Sequence, residues 1–441
     1  MTDGDDAYDA AVARLEQAAR FGINPSLEGM RRLMDALGCP ERECRCVQVT
    51  GTNGKTSVTR MIGAILSAHG YRTGVYTSPH LVSYTERIEI DGEPVSRADL
   101  VAALTSVFDV ADSLGGGFTE FELFTAAALT LFRRRRVEIA CLEVGMGGRW
   151  DATSIVSPDV AVITGVSLDH TDRLGTTREE IAADKAHIIK KGSIPIVGPG
   201  CDGVEHVFLE RACEMGHPRI LRVSADGQGD VTWHIVRRPR TPGGTLTVDV
   251  FGTREYRVTL RAPAYQAPNV ATAMFAAGAA LFNVLDPACV ASALKLMTFP
   301  GRFELVRRTP PLVIDGAHNP AAASVLAGAI AEAFPERRPF VVLAVLADKD
   351  IAGIANALVG VAAGFVITEN GAARCATASG VAAAVRGLTN APVVVEPDLA
   401  SALHIATRDS RGAGVVATGS LYTVGAVKRL FAEGGDRSGG G

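Results

Sequence analysis

The sequence predicts an α/β protein built on parallel sheets, and the order of its apolar segments supports this prediction. From about residue 45 to 200, short apolar strands alternate with helical patterns. The same alternation resumes after Pro300-Gly301 and continues almost to the end of the chain. Repeated strand–helix units imply a parallel sheet with helices on both faces. At 441 residues, the chain is long enough for two or three domains.

The domain limits follow from a change of pattern between these two blocks. Residues 231–262 alternate apolar and polar side chains in period two, which predicts a hairpin or small sheet. We expect a first domain at 1–299 that contains this β-rich segment, and a second domain at 300–430. A flexible, glycine-rich tail is expected at 431–441. The strands predicted in the second domain are LVID, FVVLAV, FVIT, PVVVE and GVVAT.

Composition excludes several classes of function. The 44 basic and 48 acidic residues give a formal charge of −4, which argues against a nucleic-acid partner or an anionic membrane surface. No apolar run approaches the roughly 18 residues of a membrane span. Cys39, Cys44 and Cys46 lack CxxC spacing and nearby histidines, so free thiols fit better than a zinc site. We expect a cytoplasmic monomer.

A phosphate-binding loop is the strongest local motif. Val47-Gln48-Val49-Thr50 predicts a strand, and Gly51-Thr52-Asn53-Gly54 a turn. A helix is predicted to follow, because Val58, Met61, Ile62, Ile65 and Leu66 recur on one helical face, and Gly70 supplies its stop.

In such a loop, backbone N–H groups at the start of the helix bind phosphate oxygens. Lys55 would neutralise phosphate charge, and Thr56 would offer a hydroxyl to Mg²⁺. The nucleotide-binding candidates here are Asn53, Gly54, Lys55, Thr56 and Ser57. The general phosphate-loop pattern requires glycine at position 49, where this chain has Val49.

The variant loop and several later segments resemble a known family. Thr50 to Ser57 (TGTNGKTS) resembles the loop of the Mur ligase superfamily. The segments that narrow the resemblance are YTSPHL at 76–81, YTER at 84–87, TEFE at 119–122, EVGMGGR at 143–149, LDHT at 168–171 and DGAHNP at 315–320. Their order is similar to that in the dihydrofolate synthase/folylpolyglutamate synthase family, over roughly residues 45 to 425.

The resemblance implies both a fold and a reaction. The fold would be a P-loop NTPase-like Mur ligase central domain followed by a C-terminal Rossmann-like Mur ligase domain. The reaction would be ATP-dependent ligation of L-glutamate to a pteroyl substrate through an acyl phosphate, with two Mg²⁺ ions. Tetrahydrofolate polyglutamylation and conversion of dihydropteroate to dihydrofolate use the same chemistry, and the sequence does not separate them.

Two candidate metal ligands follow apolar strands. Glu143 ends the strand at 137–142, at the edge where parallel sheets bind ligands, and its carboxylate suits Mg²⁺. It could instead cap the following glycine turn. His170 follows the strand at 160–164, where a lone histidine is more often structural. The resemblance implies that His170 and Ser78 bind the metal together with Glu143.

Lys185 is predicted to lie on the apolar face of a helix. Thr177 to Glu180 forms a capping box that opens a helix, and Lys185 shares a face of that helix with Ile181, Ile188 and Ile189. Its ammonium could still reach the surface. A sheltered lysine has a lowered pKa and can react as the neutral amine. The resemblance implies that Lys185 is carbamylated, although Asp184 replaces the usual glutamate and His187 is bulkier than expected.

The remaining site residues rest on the resemblance alone. Asn269 would lie on the adenine side, while Arg302 and Asp315 would contact ATP. His318 and Ser420 would bind the incoming glutamate, and His318 is also a catalytic candidate. The pteroyl side would be lined by Thr119, Phe121, Glu122, Arg149, Trp150 and Asp151.

Three alternatives stay open. A ligase acting on a cell-wall precursor is favoured by Thr56, although such ligases carry a further N-terminal domain and only about 45 residues precede this loop. A P-loop switch or binding module would not need the SPHL, DHT and AHNP segments. An inactive scaffold is disfavoured, because the candidate residues Lys55, Glu143, His170 and Lys185 are all intact.

Overall fold

The computed structural model describes residues 3–22, 25–225 and 227–435, and they form two compact units. The first unit contains the chain up to His234, Asp249–Val258 and Ala267–Leu296. The second contains Ile235–Val248, Thr259–Gln266 and the chain from Met297 onwards. The predicted boundary at 299/300 lies close to Met297. The β-rich segment is divided between both units, whereas the sequence analysis had placed it wholly in the first domain.

Among the described residues, ten α-helices and eight strands lie wholly in the first unit. The helices are α1 (Asp3–Gln17), α2 (Glu28–Ala36), α3 (Lys55–Ala68), α4 (Arg97–Ser113), α5 (Glu120–Arg134), α6 (Thr171–Leu174), α7 (Arg178–Lys185), α8 (Glu205–Glu214), α9 (Ala267–Leu281) and α10 (Pro287–Lys295). The strands are β1 (Arg45–Thr50), β2 (Thr73–Tyr76), β3 (Ile88–Ile90), β4 (Glu93–Pro94), β5 (Ile139–Glu143), β6 (Val160–Gly165), β7 (Ile194–Gly200) and β8 (Leu221–Ser224).

The large sheet has β1 near its middle, between β5 and β6, and all three strands run parallel. The strand order is β11-β10-β9-β8-β7-β6-β1-β5-β2-β3-β4. The predicted β-rich segment forms β9 (Val231–Arg237), β10 (Thr245–Phe251) and β11 (Glu255–Arg261). These strands continue the large sheet through the parallel pairing of β8 with β9 and are not a separate sheet.

The predicted strand, turn and helix of the phosphate loop are confirmed as β1, the turn 51–54 and α3. All five residues of the predicted apolar face of α3 are fully buried. Gly70 follows the C-cap residue His69 and has a φ of 87°, as the predicted stop requires. The carboxyl ends of β1, β5 and β6 meet at one edge of the sheet, and the loop lies at that edge.

The N-terminal helices belong to the core of the first unit. One cluster of buried side chains includes Leu15 of α1, Leu33 of α2, Leu104 of α4 and Phe124 of α5, and each is completely buried. Helix α1 contacts both α4 and α5, and α2 contacts α5. The helices before the phosphate loop therefore share one hydrophobic core with α4 and α5.

The second unit has its own sheet, in the order β12-β13-β17-β14-β15-β16. Its strands are β12 (Glu304–Arg308), β13 (Pro311–Ile314), β14 (Phe340–Leu343), β15 (Gly364–Ile367), β16 (Val393–Val395) and β17 (Val415–Thr418). Its helices are α11 (Pro320–Ala333), α12 (Ile351–Val359), α13 (Ala378–Arg386), α14 (Leu399–Asp409) and α15 (Leu421–Gly435). The five predicted strands are confirmed and pair in parallel.

Two features of the second unit differ from the prediction. The edge strand β12 pairs antiparallel with β13 and was missed, because its residues are half-buried to exposed and give no clear apolar signal. Residues 431–435, which we had assigned to a tail, end helix α15. Residues 436–441 of that predicted tail lie outside the described residues. Within the described ranges, no helix is long and apolar enough to cross a bilayer.

If the N-terminal helices are part of the core of the first unit, replacing Leu33 with alanine will destabilise that unit. Leu33→Ala removes a fully buried side chain and should lower the free energy of unfolding by about 2–5 kcal/mol. The control Leu209→Ala, at a residue that is 39% exposed, should change it by less than about 0.5 kcal/mol. Urea unfolding measures both, and equal effects would contradict an integral role for α2.

Candidate active site

The phosphate loop is held in shape by the neighbouring strand β6. The Thr164 hydroxyl donates to the Asn53 carbonyl oxygen at 2.6 Å. Gly51 has a φ of 150°, and a Cβ at this position would lie 2.0 Å from Thr164 Oγ1. Only glycine therefore fits at position 51. The Lys55 ammonium lies over the loop and donates to the Gly51 carbonyl oxygen at 2.9 Å.

A buried carboxylate joins two candidate metal-binding segments. Glu143 is 1% exposed and ends β5. Its Oε1 accepts a hydrogen bond from the Thr56 hydroxyl at 2.9 Å, and its Oε2 accepts from the Ser78 N–H at 3.1 Å. The structure thus brings Thr56, Ser78 and Glu143 together.

Two lysines share this part of the site. Lys185 is 3% exposed, so its ammonium does not reach the surface. Burial, with the positive charge of Lys55 next in importance, lowers the pKa of Lys185 from 10.5 to about 7, while Asp184 and Asp169 oppose the shift. The predicted capping box at Thr177 is confirmed, although α7 ends at Lys185 and a short 3-10 helix at Ala186–Ile188 follows.

His170 lies on the loop after β6, at the N-cap position of the single-turn helix α6, and its side chain makes no capping hydrogen bond there. It is exposed and has a φ of 50°. The loop is tied to the phosphate loop, because the Ser167 N–H donates to Thr52 Oγ1 at 3.0 Å and the Thr52 hydroxyl donates to the Ser167 carbonyl oxygen. This connection places the loop that carries His170 beside the phosphate loop.

The predicted adenine-side residue lies against the phosphate loop. A Cβ at Gly54 would lie 2.8 Å from Asn269 Oδ1, so the Asn269 carboxamide packs directly on this glycine. Gly54 also has a φ of 86°, which favours glycine independently of the contact. Asn269 lies near the start of α9, which packs along α3.

Among the candidates for the pteroyl side, two form a helix cap and two others flank a glycine turn. Thr119 and Glu122 are both 6% exposed and form a capping box that begins α5. The Thr119 N–H donates to Glu122 Oε2 at 2.8 Å. Phe121 is only half-buried, and a Cβ at Gly145 would lie 2.8 Å from its Cζ and 3.1 Å from Asp151 Oδ2. Phe121 and Asp151 therefore flank one glycine turn.

Arg149 and Trp150 lie on the same turn and are more accessible. The Arg149 guanidinium carbon lies 4.8 Å from the centre of the Trp150 ring, and Trp150 is 43% exposed. Asp184 approaches the turn from α7: its Oδ1 accepts from the Arg149 N–H at 3.3 Å and would lie 2.1 Å from a Cβ at Gly147. The residue beside Lys185 thus contacts the turn that follows Glu143.

In the second unit, Asp315 is the best-connected candidate. It follows β13, is 5% exposed, and accepts hydrogen bonds from the Phe303 N–H (2.7 Å), the Ala317 N–H (2.9 Å) and the Tyr265 hydroxyl (3.0 Å). Burial raises the pKa of Asp315, and the positive charge of Arg302 opposes the shift. Arg302 Nη1 would lie 2.8 Å from a Cβ at Gly316.

His318 and Ser420 belong to the same edge of the second sheet. His318 Nδ1 lies 2.8 Å from the Gly316 carbonyl oxygen, and Ser420 Oγ accepts from the Tyr422 N–H at 3.1 Å. Ser420 follows β17, which pairs in parallel with β13, so Ser420 and Asp315 follow the carboxyl ends of adjacent strands.

A separate pocket of about 660 Å³ opens beyond β15 and β16. Its carboxylates have structural partners: Glu369 accepts from the Ala378 N–H, and Asp398 caps α14. The lining includes no residue that the sequence analysis selected. The pocket therefore does not alter the candidate site.

Sequence reasoning missed several residues that shape the site. Thr164 ends a predicted strand, but its contact with the loop requires the register of β1 and β6. Asp184 was noticed only as a departure from the family pattern. Tyr265 precedes the segment with Asn269, and no local pattern links its hydroxyl to Asp315.

The donor set around Glu143 fits a hard divalent cation. The Glu143 carboxylate and the Thr56 hydroxyl supply oxygen, which Mg²⁺ prefers. Across residues 3–22, 25–225 and 227–435, no group of three or more His, Cys, Asp or Glu side chains could hold a metal. The predicted ligands include only two such side chains, Glu143 and His170, so these two alone do not make up such a group.

Comparison with known proteins identifies both parts of the chain. The family model described as Mur ligase middle domain matches residues 49–280, and the Mur ligase glutamate ligase domain matches residues 301–421. A Mycobacterium tuberculosis protein named dihydrofolate synthase/folylpolyglutamate synthase is 36% identical over 450 residues, covering 93% of this chain and 90% of the relative.

Two solved structures are similar to this chain over almost its full length. The M. tuberculosis folylpolyglutamate synthase complexed with ADP and AMPPCP superimposes with a TM-score of 0.89 at 35% identity, covering 97% of this chain and 99% of that one. The Yersinia pestis bifunctional folylpolyglutamate synthase/dihydrofolate synthase complexed with AMPPNP and Mn gives a TM-score of 0.83 at 30% identity, with 98% and 100% covered. The chain belongs to the Mur ligase family and, within it, to the dihydrofolate synthase/folylpolyglutamate synthase family.

Proposed function

We propose that this protein is an ATP-dependent ligase that joins L-glutamate to a pteroyl substrate, using two Mg²⁺ ions. The observation that carries the proposal is the contact of Glu143 with both the phosphate loop and the Ser78 loop. The relatives' names describe the same two activities, dihydrofolate synthase and folylpolyglutamate synthase. Neither of these two activities uses a cell-wall precursor as its substrate.

Ligation needs an activated carboxylate. The pteroyl carboxylate attacks the γ-phosphorus of ATP, ADP leaves, and an acyl phosphate forms. The glutamate amine then attacks the acyl carbon, phosphate leaves, and the amine loses a proton. Bound Mg²⁺ would neutralise charge on the phosphate oxygens. The chain itself positions the reactants and supplies positive charge through Lys55 and Arg302.

The first unit would hold the cation and the nucleotide. We assign Glu143, Ser78 and His170 to the cation, residues 53–57 to the phosphates and Asn269 to the adenine side. A carbamate on Lys185 would place negative charge where two lysines otherwise repel each other. Phe121, Arg149, Trp150 and Asp151 would line the pteroyl side. We propose that Thr119 and Glu122 act indirectly, since their capping box sets the start of α5.

The second unit would contribute Arg302 and Asp315 to ATP binding and His318 and Ser420 to glutamate binding. The support is their placement at the carboxyl edge of the second parallel sheet, where such sheets bind ligands. We also propose a cytoplasmic monomer. All eight cysteines are free thiols, which suits a reducing compartment.

The proposed function predicts glutamate-dependent release of ADP when dihydropteroate or tetrahydrofolate is supplied. Lys55→Ala should lower this rate by on the order of 100-fold or more, because a positive charge that offsets phosphate charge is lost. The control Lys191→Ala changes an exposed lysine and should leave the rate unchanged. If neither dihydropteroate nor tetrahydrofolate supports ADP release, the proposed function is refuted.

The carbamate on Lys185 predicts a signal that depends on pH. Because the pKa of Lys185 is about 7, its amine is mostly neutral at pH 8 and mostly protonated at pH 6. With ¹³C-bicarbonate, a carbamate resonance should therefore weaken as pH falls from 8 to 6. Lys185→Arg should remove both the resonance and the activity, whereas Lys191→Arg should keep both. A fully active Lys185→Arg enzyme would exclude the carbamate.

Asp315 should matter for ATP more than for the pteroyl substrate. Asp315→Asn removes the charge of a carboxylate that accepts three hydrogen bonds and should raise the KM for ATP by about 10-fold. Asp409→Asn, at the end of α14, is the matched control. Steady-state kinetics with each substrate varied in turn decides the question, and an unchanged KM for ATP would remove Asp315 from the nucleotide site.

A further inference from the structure

We propose that Arg87 is a positioning residue that couples the loop carrying Ser78 to the first turn of α5, which carries Phe121. This inference rests on the proposed function, because Ser78 is assigned there to the cation and Phe121 to the pteroyl side. Arg87 ends the short 3-10 helix at Tyr84–Arg87 and is only 8% exposed. Burying a guanidinium costs free energy unless it has hydrogen-bond or ionic partners. The contacts of Arg87 therefore indicate which segments it holds in place.

Arg87 holds the Ser78 loop on both sides of Ser78. On one side, the Thr77 N–H donates to the Arg87 carbonyl oxygen at 2.9 Å. On the other, Arg87 Nε donates to His80 Nδ1 at 2.9 Å. The His80 ring also contacts the Tyr84 ring in a tilted arrangement, with centroids 4.2 Å apart. The segment from Thr77 to His80 is therefore fixed to one residue, and the Ser78 N–H in turn meets Glu143.

The same guanidinium reaches the start of α5. Arg87 Nη1 lies 3.4 Å from Oε1 of Glu120, the first residue of the helix. The Tyr84 hydroxyl donates to that same oxygen at 3.0 Å. The guanidinium carbon also lies 4.6 Å from the centre of the Tyr84 ring and 5.2 Å from that of Phe124. These distances suit cation–π contacts with both rings.

One planar group thus connects a loop on the cation side with a helix on the pteroyl side. A lysine cannot replace it, because its single ammonium cannot donate to His80, approach Glu120 and stack on two rings at once. Loss of the guanidinium should therefore disturb both sides together. A residue that only stabilised the fold would lower the amount of active enzyme without changing the affinity for either substrate.

A double-mutant cycle tests this coupling. Arg87→Lys should raise the KM for ATP and the KM for the pteroyl substrate, each by about 10-fold, since a buried charge-assisted hydrogen bond is lost. Glu120→Gln should raise mainly the pteroyl KM. The double variant should be no worse than Arg87→Lys alone, because both changes remove the same contact. Unchanged KM values in Arg87→Lys, or multiplied effects in the double variant, would overturn the proposal.

Tyr84→Phe provides a milder test if Arg87→Lys does not fold. It removes one hydroxyl from Glu120 and should raise the pteroyl KM by about threefold; an unchanged value would refute the link to α5. The matched control is Glu89→Gln, in β3. Glu89 is 5% exposed and pairs with Arg60 at 2.5 Å. This control should lower thermal stability without changing either KM, and a KM shift equal to that of Glu120→Gln would count against the proposal.

The same cycle can be measured as Kd values by calorimetry, with the Mg²⁺ complex of AMPPNP and with dihydropteroate as separate ligands. Wild-type protein that binds both ligands but ligates no glutamate would refute the proposed function alone. Binding of both ligands that is insensitive to Arg87→Lys would refute the coupling alone. The two failures are therefore distinguishable.

Discussion

The site depends on one buried carboxylate at the end of a parallel strand. Glu143 is almost inaccessible, yet its two oxygens bind two different segments, the first turn of α3 through Thr56 and the loop after β2 through Ser78. Burying a carboxylate is expensive unless each oxygen has a donor. The fold meets this requirement with a hydroxyl and a backbone N–H, and the same contacts bring the proposed cation and phosphate ligands together.

Charge explains the surroundings of Glu143. Lys55 lies over the phosphate loop, and its charge adds to the effect of burial in lowering the pKa of Lys185. Two lysines close to each other are unfavourable without negative charge nearby. Phosphate groups, together with a carbamate on Lys185, would supply that charge.

Sequence patterns predicted those parts of the fold that local periodicity encodes. The phosphate loop, α3 and the five parallel strands of the second unit all follow from apolar spacing and glycine position. Strand β12 was not predicted, because its charged, partly exposed residues give no apolar repeat. The sequence analysis did not predict that residues 231–262 are divided between two units. The reason is that strand patterns do not specify which neighbours the end of a strand contacts. Contacts such as Thr164 with Asn53, or Asp184 with the glycine turn, join segments about 35 or more residues apart and need the tertiary fold.

The central claim, that Glu143 organises a cation site between the phosphate loop and the Ser78 loop, is open to a direct measurement. Crystals grown with AMPPNP and Mn²⁺ would give an anomalous difference map that locates the ion. The account predicts a manganese peak within direct coordination distance of a Glu143 carboxylate oxygen, with nucleotide phosphates on residues 53–57. A manganese peak remote from Glu143, or phosphates bound away from the loop, would contradict it.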